Sequence, residues 1–312
     1  MASSQQTKHL TILKILREAV KLAIRTFTLI LPVLLLSFLA YSVLFVFFDL
    51  SFKPVMADFA SNSIAIASLD PKSPEYAIVK AAILKDAKEL SAIYAVFLIA
   101  SFIVSSLTTI ATICALTNKL STAKHFLCRL KGPMITKLYV WLLSSGYFFL
   151  LLAVLGAFVL IAGPSSMALI VSGVILALVG TLLYLYLTVV WSVSIVISVV
   201  VDGCYGLSAI SKARQVIGGR RGQGVVLVLI QFLIISVVSA SYNLAVAHVD
   251  PGMAQLGIGL AFIAMVQVVA VFCWAAITVF YYDCDGGERT DIEGGFMYRS
   301  VPTTEAALRG EV

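Results

Sequence analysis

Six long apolar runs divide the chain, and no Asp, Glu, Lys, Arg or His interrupts any of them. A spanning helix needs about 20 apolar residues, because the hydrocarbon core is about 30 Å thick and each residue rises about 1.5 Å. The runs that meet this length are 26–48, 91–116, 138–162, 166–201, 225–247 and 256–282. They are continuously apolar rather than alternating, which indicates helices instead of barrel strands. The pattern therefore predicts an all-α fold, a polytopic transmembrane bundle of six spans.

The run 166–201 is longer than one crossing requires, yet no polar turn divides it. It predicts one long helix whose end, from about Trp191, leaves the hydrocarbon core or packs against other helices. After this run, residues 207–212 read as a short basic helix that Gly218 and Gly219 stop, since glycine is a common helix terminator.

The connection 49–90 is the longest between two runs. Ser73-Pro74-Glu75 predicts a helix start, with Ser73 as the cap and Pro74 in the first turn, and this helix is expected to continue into the second span. The part before Ser73 contains Pro54, Asn62 and Pro71 and is expected to be irregular. A structural connection is the favoured interpretation, and a ligand-binding cap is the alternative.

Charge adds a direction to these spans. Hydrophobic residues make up 61% of the chain and charged residues 12%, about half the fraction of soluble proteins. Lys and Arg collect in 1–25, 117–137 and 202–224, whereas 163–165 carries no charge and 248–255 carries one acid. The positive-inside rule then predicts that both termini are cytoplasmic and that 49–90 is an outer loop. The segment 283–312 is acidic overall and is predicted to be a flexible cytoplasmic tail.

Residues 1–25 form the first predicted domain, a basic amphipathic N-terminal helix. Leu13, Leu16, Val20 and Ile24 supply its apolar side. Its basic residues and the pair that precedes the fifth span are the predicted contacts with anionic lipid: Lys14, Arg17, Lys21, Arg25, Arg220 and Arg221. The alternative for the N-terminal charges is that they only orient the first span.

Polar side chains inside the spans are uncharged. Small hydroxyls and amides bind neighbouring helices in a membrane, so a packing role is predicted for Ser101, Ser105, Thr112, Gln231, Asn243 and Gln267. A polar permeation path is the alternative for the hydroxyls, and a lipid headgroup or substrate contact is the alternative for the three amides.

No catalytic, cofactor or metal site is predicted, since His9, His125 and His248 lie on different connections without a zinc spacing. The formal net charge of +6 is assigned to surfaces that face the lipid leaflet, so no nucleic-acid partner is expected. In the tail, Tyr298 and Val301 fit a Tyr-x-x-apolar sorting motif for trafficking adaptors, and Cys284 beside the last span is a candidate for palmitoylation.

Two stretches carry a family likeness. One runs from Val199 through Asp202-Gly203-Cys204-Tyr205-Gly206 to Ala213, and the other is Phe280-Tyr281-Tyr282-Asp283-Cys284 with the Tyr298–Thr303 tail. They resemble a plant family of six-span membrane proteins without an established activity. More distantly, the central stretch is similar to the membrane domain of bacterial glycerophosphodiester phosphodiesterases, although no catalytic domain of that kind lies in these residues. Asp202 departs from the family pattern, which often has Glu there. The resemblance implies a fold and a membrane location but no mechanism.

These observations favour a non-enzymatic integral membrane protein that organises membrane, lipid or partner proteins, in the endomembrane system or the plasma membrane. The expected partners are membrane lipids, membrane proteins and trafficking adaptors. A transporter or channel for a neutral or lipid-like solute is one alternative. A lipid-modifying membrane enzyme is the other, and the uncharged spans argue against it.

Overall fold

The structure, a computed structural model, describes residues 11–67, 69–70, 72–118, 130–162, 167–249, 252–285, 288–292 and 295–299. Within these residues the chain forms eight helices and one two-stranded antiparallel hairpin. The helices are α1 (Ile12–Arg25), α2 (Phe27–Ala67), α3 (Pro74–Leu116), α4 (Lys131–Ala162), α5 (Met167–Val200), α6 (Leu207–Val216), α7 (Arg221–Ala247) and α8 (Met253–Cys284). The strands are β1 (Glu288–Ile292) and β2 (Gly295–Arg299).

Six of the helices, all except α1 and α6, are long and apolar enough to cross a membrane. The predicted helical bundle with six candidate spans is therefore confirmed. The single helix predicted for the long fourth run is confirmed as α5, and its last third packs inside the protein, with Val193, Val196 and Ile197 fully buried. The basic stub before Gly218 is confirmed as α6.

The predicted helix from Ser73-Pro74 into the second span is confirmed, but the prediction that the part before Ser73 is irregular is wrong, because most of it is helical. Helix α2 continues through Pro54 to Ala67, and α3 begins at Pro74. The predicted cap is confirmed, because the backbone N–H of Tyr76 donates to the Ser73 hydroxyl at 3.1 Å. We call residues 49–67 of α2 and 74–90 of α3 the helical stem.

Contacts between its two helices explain why the stem is ordered. The Phe48 and Phe97 rings pack at its base with their centroids 4.4 Å apart. Further along, the Asn62 amide donates to the Asp86 carboxylate at 3.0 Å. Pro54 removes one backbone donor from α2, and the helix nevertheless continues through it to Ala67.

The chain divides into two compact units. Unit 1 comprises the described residues within Met1–Leu31, Thr109–Val237 and Val269–Val312, and unit 2 comprises those within Pro32–Thr108 and Val238–Val268. The boundaries fall inside α2, α3, α7 and α8, so each of these helices contributes to both units.

The core of unit 1 gathers around the end of α5. Val189, Val193 and Ile197 of α5 are fully buried, as are Phe280 and Tyr281 near the end of α8. Unit 1 also receives the buried face of α1, two buried alanines of α6 and two residues in the first third of α7: Ile15, Ala19, Ala209, Ala213, Leu227 and Val228. A core of this kind gives α6 and the ends of α7 and α8 fixed positions.

The helices of unit 2 contact one another through ring stacking and through a close approach at a glycine. The rings of Tyr242 on α7 and Phe262 on α8 stack with centroids 4.5 Å apart. Gly259 of α8 lies so close to Phe45 of α2 that an added Cβ would stand 2.4 Å from its ring. Glycine permits this approach of two helices, which is a common way for helices to associate in membranes.

Beyond α8, β1 and β2 pair in antiparallel register, with Arg289 opposite Tyr298. The sequence predicts flexibility for this tail and no strand. Part of this segment therefore forms regular β-structure, which the sequence does not predict.

Candidate functional site

The polar end of unit 1 is organised by the turn between α5 and α6. Gly203 and Gly206 adopt positive φ angles of 78° and 64°, which glycine tolerates without strain. The N–H of Gly206 donates to the buried Thr136 hydroxyl of α4 at 2.8 Å. The Tyr205 ring lies against Gly132, where an added Cβ would stand 3.3 Å from it. These contacts fix the position at which α6 begins.

The centre of this end is an ion pair between Arg220, just before α7, and Asp283 in the last turn of α8. Both side chains are 11% exposed, and the Arg220 side chain also hydrogen-bonds the Cys284 thiol. A buried guanidinium needs such partners, because an unpaired buried charge is very unfavourable. The prediction that Arg220 contacts lipid headgroups is therefore wrong: its charge is already used inside the protein.

A second carboxylate lies immediately beyond α8. Asp285 accepts a hydrogen bond from the Tyr281 hydroxyl at 3.3 Å. Burial raises the pKa of Asp285, while this hydrogen bond and the positive charge of Lys212 act in the opposite direction. Asp283 and Asp285 are thus each associated with a basic residue of the α6–α7 region.

The helices that carry these groups approach closely. An added Cβ at Gly224 of α7 would stand 2.6 Å from Val189 and 3.2 Å from Phe280. Further along, the Gln231 amide donates to the Cys273 carbonyl of α8 at 3.2 Å, the type of interhelical contact that a packing role requires. The Arg221 side chain, in contrast, is exposed, with its guanidinium 5.9 Å from the centre of the Tyr186 ring.

The N-terminal helix α1 has three distinct faces. Ile15 and Ala19 are buried against the protein. An apolar stripe of Leu13, Val20 and Ile24 is 77%, 43% and 70% exposed. The basic residues of the predicted lipid contact are exposed as well, next to this stripe: Lys14, Arg17, Lys21 and Arg25.

The other predicted packing residues occupy different environments. Ser105 hydrogen-bonds Tyr41 of α2, and Ser101 is half-buried. Thr112 and Gln267 are 2% and 7% exposed. The prediction that Asn243 faces the interior is wrong: it is exposed. Its neighbour Tyr242 points inward to Phe262, and consecutive residues of a helix lie on different faces.

The tail residues are only partly described. Tyr298 lies on β2, Val301 lies outside the described residues, and Cys284 is the last residue of α8. Sequence reasoning missed Asp283 as the partner of Arg220. A usable signal was present, since Asp283 directly follows the sixth apolar run and Arg220 lies shortly before the fifth, at run ends predicted on the same side of the membrane.

Comparison with known proteins adds no chemistry to this description. A protein family described as a domain of unknown function matches residues 1–299. No curated protein and no solved structure matches the chain.

Proposed function

Since the chain belongs to the family Domain of unknown function (DUF8558), we propose a function from its own surfaces: a non-enzymatic integral membrane protein that organises anionic lipid and partner proteins. The observation that carries this proposal is the three-faced helix α1. One face packs on the protein, a second presents apolar side chains, and a third presents Lys and Arg. This arrangement suits a helix that lies in the interface of a bilayer.

The two exposed faces of α1 would have different roles at a membrane surface. Leu13 and Ile24 would enter the boundary between headgroups and acyl chains, because leaving them in water is unfavourable. Lys14 and Arg17 would then meet the phosphate groups beside them, each contributing about 1 kcal/mol near an anionic surface, and Lys21, which forms an exposed ion pair with Glu18 at 3.0 Å, lies on the same face. The buried Ile15 holds the helix to unit 1, so the contact would be part of the folded protein.

A reconstitution experiment tests this role. The variant Lys14→Gln, Arg17→Gln, Lys21→Gln, Arg25→Gln should co-purify with several-fold less anionic lipid than the parent, as measured by lipidomics. A charge-matched control replaces four lysines of the α2–α3 segment: Lys53, Lys72, Lys80 and Lys85. Equal lipid profiles for the α1 variant and the parent would overturn the proposal.

The proposed orientation has both termini in the cytoplasm, supported by the Lys and Arg of the segments that flank the spans. In a cysteine-free background, Asp70→Cys should react with an impermeant maleimide only from outside sealed cells. Gly219→Cys, which is also exposed, serves as the inside control. Labelling of position 70 from the cytoplasmic side alone would contradict the orientation and with it the outer placement of the stem.

For location, we propose the endomembrane system or the plasma membrane, with Tyr298 as part of a sorting signal. Its extended backbone on β2 supports this, because adaptor motifs of this type are bound as extended segments. Tyr298→Ala should change the membrane distribution seen by imaging without changing abundance. Arg289→Ala, opposite Tyr298 in the hairpin, is the matched control. An unchanged distribution would reject the signal.

The likeness to the plant six-span family, and the more distant one to the membrane domain of bacterial glycerophosphodiester phosphodiesterases, is kept as part of this proposal. Both likenesses concern a membrane-embedded bundle rather than a catalytic domain. They therefore support an organising role over a catalytic one.

A further inference from the structure

A surface groove of about 390 Å³ lies between the end of α6 and the start of α7, entirely within unit 1. Its lining residues are Ser211, Arg214, Gln215, Gly218 and Arg221. The volume falls within the range of about 300–1,000 Å³ that small-molecule sites occupy. The groove is also at the first residue of a candidate span, where a membrane helix meets its polar boundary.

A tight turn brings the two arginines of this groove together. The N–H of Gly218 donates to the Gln215 carbonyl at 3.1 Å, and that of Arg220 donates to the Ile217 carbonyl at 2.8 Å. Ile217 is 1% exposed and anchors the turn in the core. A Cβ at Gly218 would stand 3.1 Å from the Gln215 carbonyl oxygen, so glycine lets the turn close.

The chemistry of the lining selects an oxyanion. Two guanidinium groups offer planar arrays of N–H donors, and the Ser211 hydroxyl and Gln215 amide can donate as well. None of the five lining residues carries a negative charge. The positive end of the α7 dipole is at Arg221, which adds to the same preference.

Two nearby carboxylates interact with basic residues other than the two arginines of the groove. Asp283 forms its ion pair with Arg220, and Asp285 interacts with Lys212. The guanidinium of Arg221 lies 5.9 Å from the Tyr186 ring centre, a cation–π contact that restricts its position without neutralising it. Arg214 and Arg221 are both exposed and therefore accessible to a ligand.

We propose that this groove binds a phosphate monoester. The ligand is either the headgroup of a lipid or a free phosphorylated small molecule, since both present the same doubly charged group. The inference rests on the proposed function in assigning this end of the protein to an anionic surface, and it adds a defined site distinct from α1. Arg214 and Arg221 bind the phosphate oxygens, and Ser211 contributes a hydrogen bond.

The test uses the full chain in nanodiscs of phosphatidylcholine, titrated at constant salt and followed by microscale thermophoresis. The probes are dioctanoyl phosphatidic acid, which is a monoester, dioctanoyl phosphatidylglycerol, which is a diester, and soluble glycerol 3-phosphate. Phosphatidic acid should bind more tightly than phosphatidylglycerol. Arg214→Gln and Arg221→Gln should each weaken its binding about tenfold, and Ser211→Ala should weaken it less.

The possible results distinguish a lipid phosphate from a soluble one. They also distinguish the proposed groove from the proposed role of α1. Competition by glycerol 3-phosphate would support a soluble ligand, whereas binding of phosphatidic acid without such competition would support a lipid headgroup. Equal affinity for the two lipids, or unchanged affinity in the Arg214→Gln variant, would overturn the groove. The α1 variant with four Gln should keep its preference for the monoester, so failure of the α1 role and failure of the groove give different results.

Discussion

The described parts of units 1 and 2 differ in what their helices bury. Unit 1 encloses a continuous set of apolar side chains, whereas Val238 is the one buried apolar residue of unit 2 within the described chain. In unit 2, large side chains such as Leu36 and Ile99 are 71% and 63% exposed. In a bilayer, lipid would surround these exposed side chains. The helices of unit 2 would then associate through close approach, ring stacking and hydrogen bonds rather than through hydrophobic burial.

This difference in burial predicts where a substitution should lower the stability of the protein. A polar or charged change in the part of unit 1 that packs around the end of α5 acts on a closed core, where a polar group that loses its partner cannot bind water instead. The same change on the outer faces of unit 2 acts on an open surface. Matched pairs of substitutions, one in each unit, therefore test this difference.

Ion pairs should show the largest difference. Arg220→Ala removes the ion-pair partner of the largely buried Asp283 carboxylate and should lower the free energy of unfolding by about 3–5 kcal/mol. Lys53→Ala removes the partner of Asp49 in unit 2, but Lys53 is 59% exposed, and the loss should stay below about 1 kcal/mol. Thermal unfolding of the detergent-purified chain measures both.

A double variant, Arg220→Met with Asp283→Leu, controls this experiment. It removes both buried charges and should recover most of the stability that Arg220→Ala loses. Similar losses in the Arg220→Ala and Lys53→Ala variants would show that the two pairs are equally embedded and would remove the contrast.

Glycines at helix contacts give an intermediate effect. An added methyl at Gly224 in unit 1 meets the short, branched and fully buried Val189, so Gly224→Ala should cost about 1–3 kcal/mol. At Gly259 in unit 2 the methyl meets the far end of the Phe45 ring, which is only half-buried and can move aside. Gly259→Ala should therefore cost less in the same unfolding assay, and the reverse order would contradict this reasoning.

Aromatic packing tests unit 2 itself. Phe48→Leu removes the contact with Phe97 at the base of the stem and should cost about 1 kcal/mol. Phe148→Leu, on an exposed position of α4, makes the same chemical change where the side chain is 55% exposed, and it should be nearly neutral. If both variants unfold at the parent's temperature, the stem does not depend on ring packing.

The smallest expected effect depends on pH. Burial raises the pKa of Asp285 above its ordinary value of 3.8, so the folded state binds this proton more tightly than the unfolded chain does. The resulting stabilisation is present below the ordinary value and is lost as the pH rises through the raised pKa. Asp285→Asn should thus stabilise the protein slightly at pH 7, with a gain that disappears towards pH 4. Thermal unfolding between pH 4 and pH 7 measures this trend, and an equal difference between variant and parent at both pH values would contradict it.

The spans were predictable because lipid forces every backbone donor and acceptor into a regular helix, which leaves a long uncharged run in the sequence. The start of α3 was predictable for a local reason, the Ser73 cap followed by Pro74. The continuation of α2 past Pro54 was not, since it depends on partners such as Asp86 in another helix.

The candidate site was less predictable for the same reason. Arg220 and Asp283 are 63 residues apart, and their pairing follows from the packing of α7 on α8 rather than from any local pattern. The rotation of α7 about its axis likewise decides whether Tyr242 or its neighbour Asn243 faces inward. Composition alone does not fix this rotation.

The helical stem also has a mechanical consequence. A slack linker absorbs a pull applied at its middle, because its end-to-end distance changes easily. Residues 49–67 of α2 instead form about 28 Å of helix beyond the first apolar run, paired with the returning α3. A force applied at the tip, near Asp70, therefore reaches the Phe48–Phe97 contact through two stiff rods. The tip and the base of the stem are therefore mechanically coupled through continuous helix.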